Sequence, residues 1–212
     1  MEYNGLEVVI TYKKIRRLNA RIRDGRILVS APYFTKVSEI EKFIYSNGKR
    51  IDKIIENQKT INPNIMHVWG KKYDIVKIES SEDKVILMED IAYIFYKNND
   101  LKVIDDYYMK ETLDKLNDIA RKYKDLMIKE NIMFNKISIK KLKSRWGSCK
   151  VTTKNITINS NLAKYDPICL EYVFCHEIAH IKYPNHSKSF HDFIYTYFKD
   201  EKLARKILKK YF

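Results

Sequence analysis

A chain of 212 residues with 45% hydrophobic and 32% charged residues describes a soluble globular protein with room for one large core or two small ones. Three cysteines, Cys149, Cys169 and Cys175, are too few for a disulfide framework, and no run approaches the roughly 20 apolar residues of a membrane span. The net charge of +14 admits an anionic partner such as a nucleotide or nucleic acid, but lysine spread along the chain fits a solvated surface equally well.

Met1-Glu2-Tyr3-Asn4-Gly5 carries neither a basic leader nor a long apolar run, so a cytoplasmic setting without membrane is expected. Glu7 to Tyr12 is a β-branched run, and Lys14 to Arg23 alternates apolar and basic residues. Asp24-Gly25 is a two-residue hairpin signal, with Arg26 to Ala31 returning as the partner strand. Arg16, Arg17, Arg21, Arg23 and Arg26 would divide between the two faces of that hairpin, which makes a solvated surface the default. Ser38 reads as the cap of a helix of about 20 residues with an Ile40, Phe43, Ile44, Ile51, Ile54 and Ile55 stripe, interrupted by Gly48.

Ile61 to Asn64 reads as a connector. Short strands at His67–Trp69, Tyr73–Ile78, Lys84–Met88 and Ile91–Tyr96 predict a small antiparallel sheet. From about Asp105 to Asn131, Met109, Leu113, Leu116, Ala120, Tyr123 and Met127 form one helical stripe. A boundary near residue 105 then separates a β-rich domain, 1–105, from a second domain, 106–212. In the latter, a strand at Lys136–Leu142, a loop at Lys143–Cys149 and a strand at Asn155–Leu162 lead into a helix from about Pro167 to Tyr183. Asp166-Pro167 is the start signal of that helix. Ser187 caps a further helix to about Phe198, and Glu201 to Tyr211 forms a last, basic one.

The Pro167–Tyr183 helix carries His176-Glu177-Ile178-Ala179-His180, and His186 follows six residues later. Positions i and i+4 share a helix face, so His176 and His180 can reach one metal ion, with Glu177 beside them. Pro184 ends the helix, and the turn through Asn185 lets His186 supply a third imidazole. This is the H-E-x-x-H arrangement of zinc hydrolases, in which the metal acidifies a water and the glutamate takes its proton. Three of the chain's five histidines fall within these eleven residues, whereas His67 stands alone. The strand before this helix, Asn155 to Asn161, is placed as an edge strand that an extended peptide could join by β-addition.

Lys143-Ser144-Arg145-Trp146-Gly147-Ser148-Cys149, Ile156-Thr157-Ile158-Asn159, Tyr172 to His180, and Asn185-His186-Ser187 with Phe190 together resemble the YgjP-like family of zinc metallopeptidases, near the SprT-like and small gluzincin-type peptidases. The Arg16–Pro32 hairpin and Gly70-Lys71-Lys72-Tyr73 extend the likeness over nearly the whole chain. The resemblance implies an α+β fold: a β-rich N-terminal part with one helix, then a zincin-like core of backing helix, short antiparallel sheet, H-E-x-x-H helix and C-terminal helices. It implies Zn2+ held by His176, His180 and His186, with Glu177 catalytic. His191 stands where the family has an aromatic, usually tryptophan, and so joins Arg145 and Tyr183 as a candidate transition-state or substrate contact. The third-histidine spacing equals that of metzincins, but Tyr183 replaces their glycine and no methionine follows Met133.

Trp146-Gly147 is expected to shape a tight turn under the site. Cys149 is a thiolate candidate or a small buried hydrophobe, and Cys175 lies roughly 100° round the helix from the metal side. The expected function is a zinc-dependent metallopeptidase acting on a peptide or protein substrate. The alternatives are a metal-dependent nucleotide phosphohydrolase of the triphosphate pyrophosphatase type and a nucleic-acid-associated protease.

Overall fold

Residues 1–23, 26–59 and 64–209 are described by a computed structural model. The chain divides into two compact units, Met1–Asn62 and Pro63–Phe212. In the first, β1 (Glu2–Tyr3), β2 (Leu6–Lys13), β3 (Asn19–Arg23) and β4 (Arg26–Pro32) form a sheet in the order β1-β2-β4-β3. β4 pairs parallel with β2 and antiparallel with β3. The strand expected from Lys14 begins only at Asn19. Residues 14–18 must first carry the chain past the place of β4, a strand width of about 4.8 Å on either side. The Asp24-Gly25 turn lies outside the described residues, although Arg23 and Arg26 pair across it. Val8, Ile27, Val29 and Ala31 are buried with Ile40, Ile44 and Ile51 of two helices, α1 (Val37–Ser46) and α2 (Gly48–Lys59). One helix was expected here; the chain breaks at Asn47, whose side-chain amide donates to the Phe43 carbonyl at 2.8 Å. The first helix starts beyond Lys36, so Ser38 lies inside it and is not its cap.

The second unit opens with β5 (Ile65–Val68), β6 (Lys71–Glu79), β7 (Lys84–Met88) and β8 (Ile91–Tyr96), in the order β5-β6-β8-β7. β6 and β8 run parallel, so the expected antiparallel sheet is mixed. The reason is burial. Ala92 and Ile94 are fully buried, and the strand that carries them takes a position with a neighbour on both sides. This sheet packs its Met66, Val68, Ala92 and Ile94 with Val103 and Tyr108 of α3 (Asp100–Lys122) and with Ala163. The division at residues 62 and 63 therefore differs from the boundary read near residue 105, because the second sheet is covered by the backing helix itself. That helix also starts five residues early, at Asp100, because the Asn99 side chain accepts from the Lys102 amide at 3.1 Å. It ends at Tyr123, and a short α4 (Lys124–Lys129) follows.

A third sheet, in the order β10-β11-β9, consists of β9 (Lys136–Lys140), β10 (Gly147–Lys150) and β11 (Asn155–Asn159). It too is mixed, with β11 parallel to β9 and antiparallel to β10. β11 was expected at the edge. Its Ile156 and Ile158 have no exposed surface, and it lies in the centre. A 3-10 turn (Ser160–Lys164) then leads to α5 (Pro167–Lys182), α6 (Lys188–Tyr197) and α7 (Glu201–Leu208). Leu116 and Ile119 of α3, the isoleucines of β11, the apolar residues of α5, and Phe190, Phe193, Ile194, Ala204 and Leu208 share one core. The fold is α+β. Among the described residues no helix is long and apolar enough to cross a membrane.

Candidate metal centre

α5 is fixed at both ends by its own sequence. Asp166 Oδ1 accepts from the Ile168 amide at 2.9 Å and Pro167 occupies the first turn. Tyr183 closes the other end, its amide donating to the Ala179 carbonyl at 2.8 Å before Pro184 stops the helix. Cys169, Leu170, Tyr172 to Cys175 and Glu177 to Ala179 are buried, so the helix is enclosed on nearly every side. His176 and His180 look out through the remaining gap. Ser187 then caps α6 by accepting from the Phe190 amide at 3.4 Å, and this turn brings His186 back over α5.

His176 Nε2 lies 3.2 Å from both His180 Nε2 and His186 Nε2. The ligand atoms of the three residues all lie within 4.8 Å of one another. Tetrahedral zinc with Zn–N bonds of about 2.0–2.1 Å sets its nitrogens about 3.3 Å apart, so these nitrogens are spaced for such an ion. His180 Nδ1 is 3.2 Å from the Tyr183 carbonyl, which can only accept. The proton therefore sits on Nδ1, and the Nε2 lone pair is free to face the metal position. Burial, reinforced by the charges of His180 and His186, pushes the His176 imidazole down to about 3, and burial also lowers His180. Both are held in the neutral form a metal requires. His176 Nδ1 is buried without a hydrogen-bond partner. The donor set fits a zinc ion.

Phe190 forms the floor. Its ring centroid lies 4.9, 4.7 and 4.8 Å from those of His176, His180 and His186. One fully buried ring thus touches all three imidazoles and limits how each can tilt.

Glu177 is 5% exposed, and burial pushes its carboxyl up to about 8 against the opposing charge of Arg145. Gly147 makes room for it. A Cβ added there would fall 2.6 Å from Glu177 Oε1 and 2.9 Å from Val173 Cγ1. The glycine is required by space at the first residue of β10, and the tight turn expected at Trp146-Gly147 is a strand entry. Asn159, fully buried, positions that entry: its amide donates to the carbonyls of Leu142 and Arg145 at 3.0 and 2.8 Å, and its Oδ1 accepts from the Leu142 amide at 3.2 Å. The Asn159 amide itself donates to the Trp146 carbonyl. Residue 146 therefore faces β11, and by alternation Gly147 and Cys149 turn their backbone groups to the open side of the sheet.

The remaining candidates divide. Arg145 is exposed and acts on Glu177 through its charge. Tyr183 reaches the site through its carbonyl, while its ring packs on Phe193 at 5.9 Å. His191 is exposed, its ring 6.3 Å from His186 and 5.5 Å from Phe190. Cys149 is half-buried and lies outside the histidine group, and Cys175 is sealed in the core. His67 contributes its carbonyl to the Tyr108 hydroxyl at 2.8 Å. Sequence reading missed Arg205. With Trp146, Gly147, Tyr172, Val173, Leu208 and Lys209 it lines a cavity of about 380 Å³ that His176 and Glu177 also border. A basic stripe at Arg205 and Lys209 was visible in the sequence, but nothing local says which element α7 faces.

Over residues 16–211 the sequence matches the family described as YgjP-like, metallopeptidase domain. The chain belongs to the YgjP-like metallopeptidase family. Among solved structures, the metallopeptidase zymogen of Methanocaldococcus jannaschii jannalysin is 29% identical, with 48% of this chain and 97% of that one covered at a TM-score of 0.37. The metallopeptidase zymogen of Pyrococcus abyssi abylysin is 23% identical over 43% of this chain and 86% of its own, at a TM-score of 0.36. No curated protein matches significantly.

Proposed function

We propose that this YgjP-like chain is a zinc-dependent peptidase in which His176, His180 and His186 hold the ion and Glu177 is the general base. The observation that carries the reading is the convergence of three imidazole nitrogens, His176 Nε2 lying 3.2 Å from each of the other two, beside a cavity that His176 and Glu177 border. Zinc held there would acidify a water and polarise the scissile carbonyl. Glu177, buried and beside the triad, accepts the proton on its carboxylate and returns it to the leaving nitrogen. Its raised affinity for a proton suits the acceptor step, while the charge of Arg145 keeps the carboxylate accessible. Arg145 and His191 remain candidates for steadying negative charge on the carbonyl oxygen, and the Tyr183 carbonyl fixes the tautomer of His180.

The open side of β10, not β11, is the edge at which an extended substrate can add as a further strand, with the Gly147 backbone nearest Glu177. Trp146, Tyr172, Val173 and Leu208 give the adjoining cavity mostly apolar walls, which suit a peptide side chain. The test uses purified zinc-loaded protein, elemental analysis and a fluorogenic peptide mixture. The wild type should cleave peptides with about one zinc per chain. Glu177→Gln should keep the metal and lose roughly 10²–10⁴-fold in turnover, the usual scale of general acid–base catalysis. Release of phosphate or pyrophosphate from nucleoside triphosphates, with no peptide cleaved, would transfer the site to phosphoryl chemistry.

A further inference from the structure

α7 places Glu201, Arg205, Leu208 and Lys209 three and four residues apart, on one side of the helix. Leu208 closes the apolar wall made by Trp146, Tyr172 and Val173, and Arg205 and Lys209 put two cations on the rim of the same cavity. The guanidinium is held in place from behind. Arg205 Nη1 donates to Glu201 Oε1 at 3.1 Å, and the same oxygen accepts from the Tyr172 hydroxyl at 3.4 Å. Arginine carries five N–H donors, and among the described residues Glu201 is its only hydrogen-bond partner. Lys209 has no acidic partner among the described residues. An apolar pocket that ends in an oriented, mostly unused guanidinium is complementary to an apolar group carrying a carboxylate.

The side of the scissile bond follows from Glu177. This residue lines the cavity and, in the peptidase reading on which this inference rests, delivers its proton to the leaving nitrogen. The residue bearing that nitrogen is therefore the one whose side chain or terminus enters. We propose that the cavity is a carboxylate-accepting subsite for the leaving residue, with Arg205 holding the carboxylate and Trp146, Tyr172, Val173 and Leu208 enclosing its apolar stem. The carboxylate is either the C-terminus of the substrate or the side chain of an internal acidic residue. Arg205 acts by binding the ground state and the transition state alike, so its contribution is read in KM.

Two experiments test it on the full-length protein. In the first, zinc-loaded enzyme is given matched fluorogenic peptides. One pair has a single leaving residue, as free acid or as amide. The other pair is longer and amidated, with Glu or Gln after the scissile bond. The expected result is a preference of about 10- to 100-fold in kcat/KM for the carboxylate member of one pair, mostly through KM, the scale of one charge-assisted bond pair. Arg205→Gln should erase it and Arg205→Lys should restore part of it. The pair that shows the preference identifies the source of the carboxylate. Equal rates within both pairs, or a preference that survives Arg205→Gln, would overturn the subsite.

The second experiment does not depend on catalysis. Calorimetry on metal-free protein, where no ion can capture the ligand, compares 3-phenylpropionate with its amide. Tighter binding of the acid, lost in Arg205→Gln, supports the subsite even if no peptide is ever cleaved, and in that case only the peptidase reading fails. Binding of the acid no tighter than the amide counts against the subsite whatever the activity.

Discussion

The first and second sheets are laid out alike, β1-β2-β4-β3 and β5-β6-β8-β7, and each begins with a two-residue turn in which both φ angles are positive. In the first sheet the turn is Asn4-Gly5, at +49° and +76°. In the second it is Trp69-Gly70, at +49° and +82°. Asn-Gly is the pair such a hairpin favours, and Asn4 needs only an exposed bond to Asp52 at 2.7 Å. A tryptophan in the left-handed region costs about 1–2 kcal/mol. Trp69 is held there because its ring N–H donates to Glu111 Oε2 at 2.9 Å and its amide donates to the Ala163 carbonyl at 2.7 Å. The same plan thus serves two ends. The first sheet closes over its own helices, and the second is tied at its turn to the elements that precede the metal helix. Strand order follows from which strand is most apolar; membership of a unit follows from what covers the sheet.

The widest split between the two regions should be in their response to pH. Among the described residues the buried polar and charged side chains, Thr112, Asn159, Ser160 and Glu177, all belong to the second unit. The Glu177 carboxyl titrates near 4.5 when unfolded and about 8 when folded. In metal-free protein its stabilisation is therefore complete below pH 4.5 and is lost as pH rises through 8. Urea melts at pH 5 and pH 9 should show Glu177→Gln gaining roughly 2–5 kcal/mol on the wild type over that interval. No relative gain would mean that the carboxylate is better solvated than its burial suggests.

Ile27→Ala and Ile94→Ala each truncate a fully buried isoleucine in a central strand, one in each sheet, and each should cost about 2–5 kcal/mol. The contrast lies in what melts. Ile94→Ala should lower the transition that releases zinc, while Ile27→Ala should lower a separate one. A single transition shifted equally by both would erase the distinction between the units.

Gly147→Ala should cost about 1–3 kcal/mol by crowding Glu177 and Val173, and should lower kcat more than it raises KM. A variant that melts and turns over like the wild type would show that Glu177 has slack. The smallest effects belong to the two turns. Trp69→Phe removes the bond to Glu111 and should cost about 1–2 kcal/mol, whereas Asn4→Gly keeps the turn and should stay within about 0.5 kcal/mol. Equal losses at both turns would say that the anchoring of Trp69 carries no weight.

What could be read from sequence was what local chemistry decides. Asp166-Pro167 and Pro184 bracket α5, Ser187 caps α6, and the i, i+4 and loop spacing of His176, His180 and His186 is enough to bring three nitrogens together. Strand order was not legible, because the pairing of Val8 with Ile27 passes over β3 and depends on a competition for burial among strands. The same competition moved β11 to the centre and left β10, read as a loop, on the open edge. The unit boundary was missed because the periodicity of α3 shows that it has an apolar face but not that Met66 and Ile94 rest on it. Phe190 belongs to a sequence motif and Arg205 to none. Each acquires its place only when α6 and α7 dock on α5, a contact with no trace in either segment alone.

Phe190 has a further consequence for traffic at the centre. A hydrocarbon ring against all three imidazoles closes the buried side of the site, since neither water nor a chelator can approach through the ring. The ion is then loaded and stripped from the solvent side, where His186 is exposed. Occupancy of the cleft should then govern exchange, so that a bound peptide acts as a lock on the metal and slows its loss without adding a ligand to it.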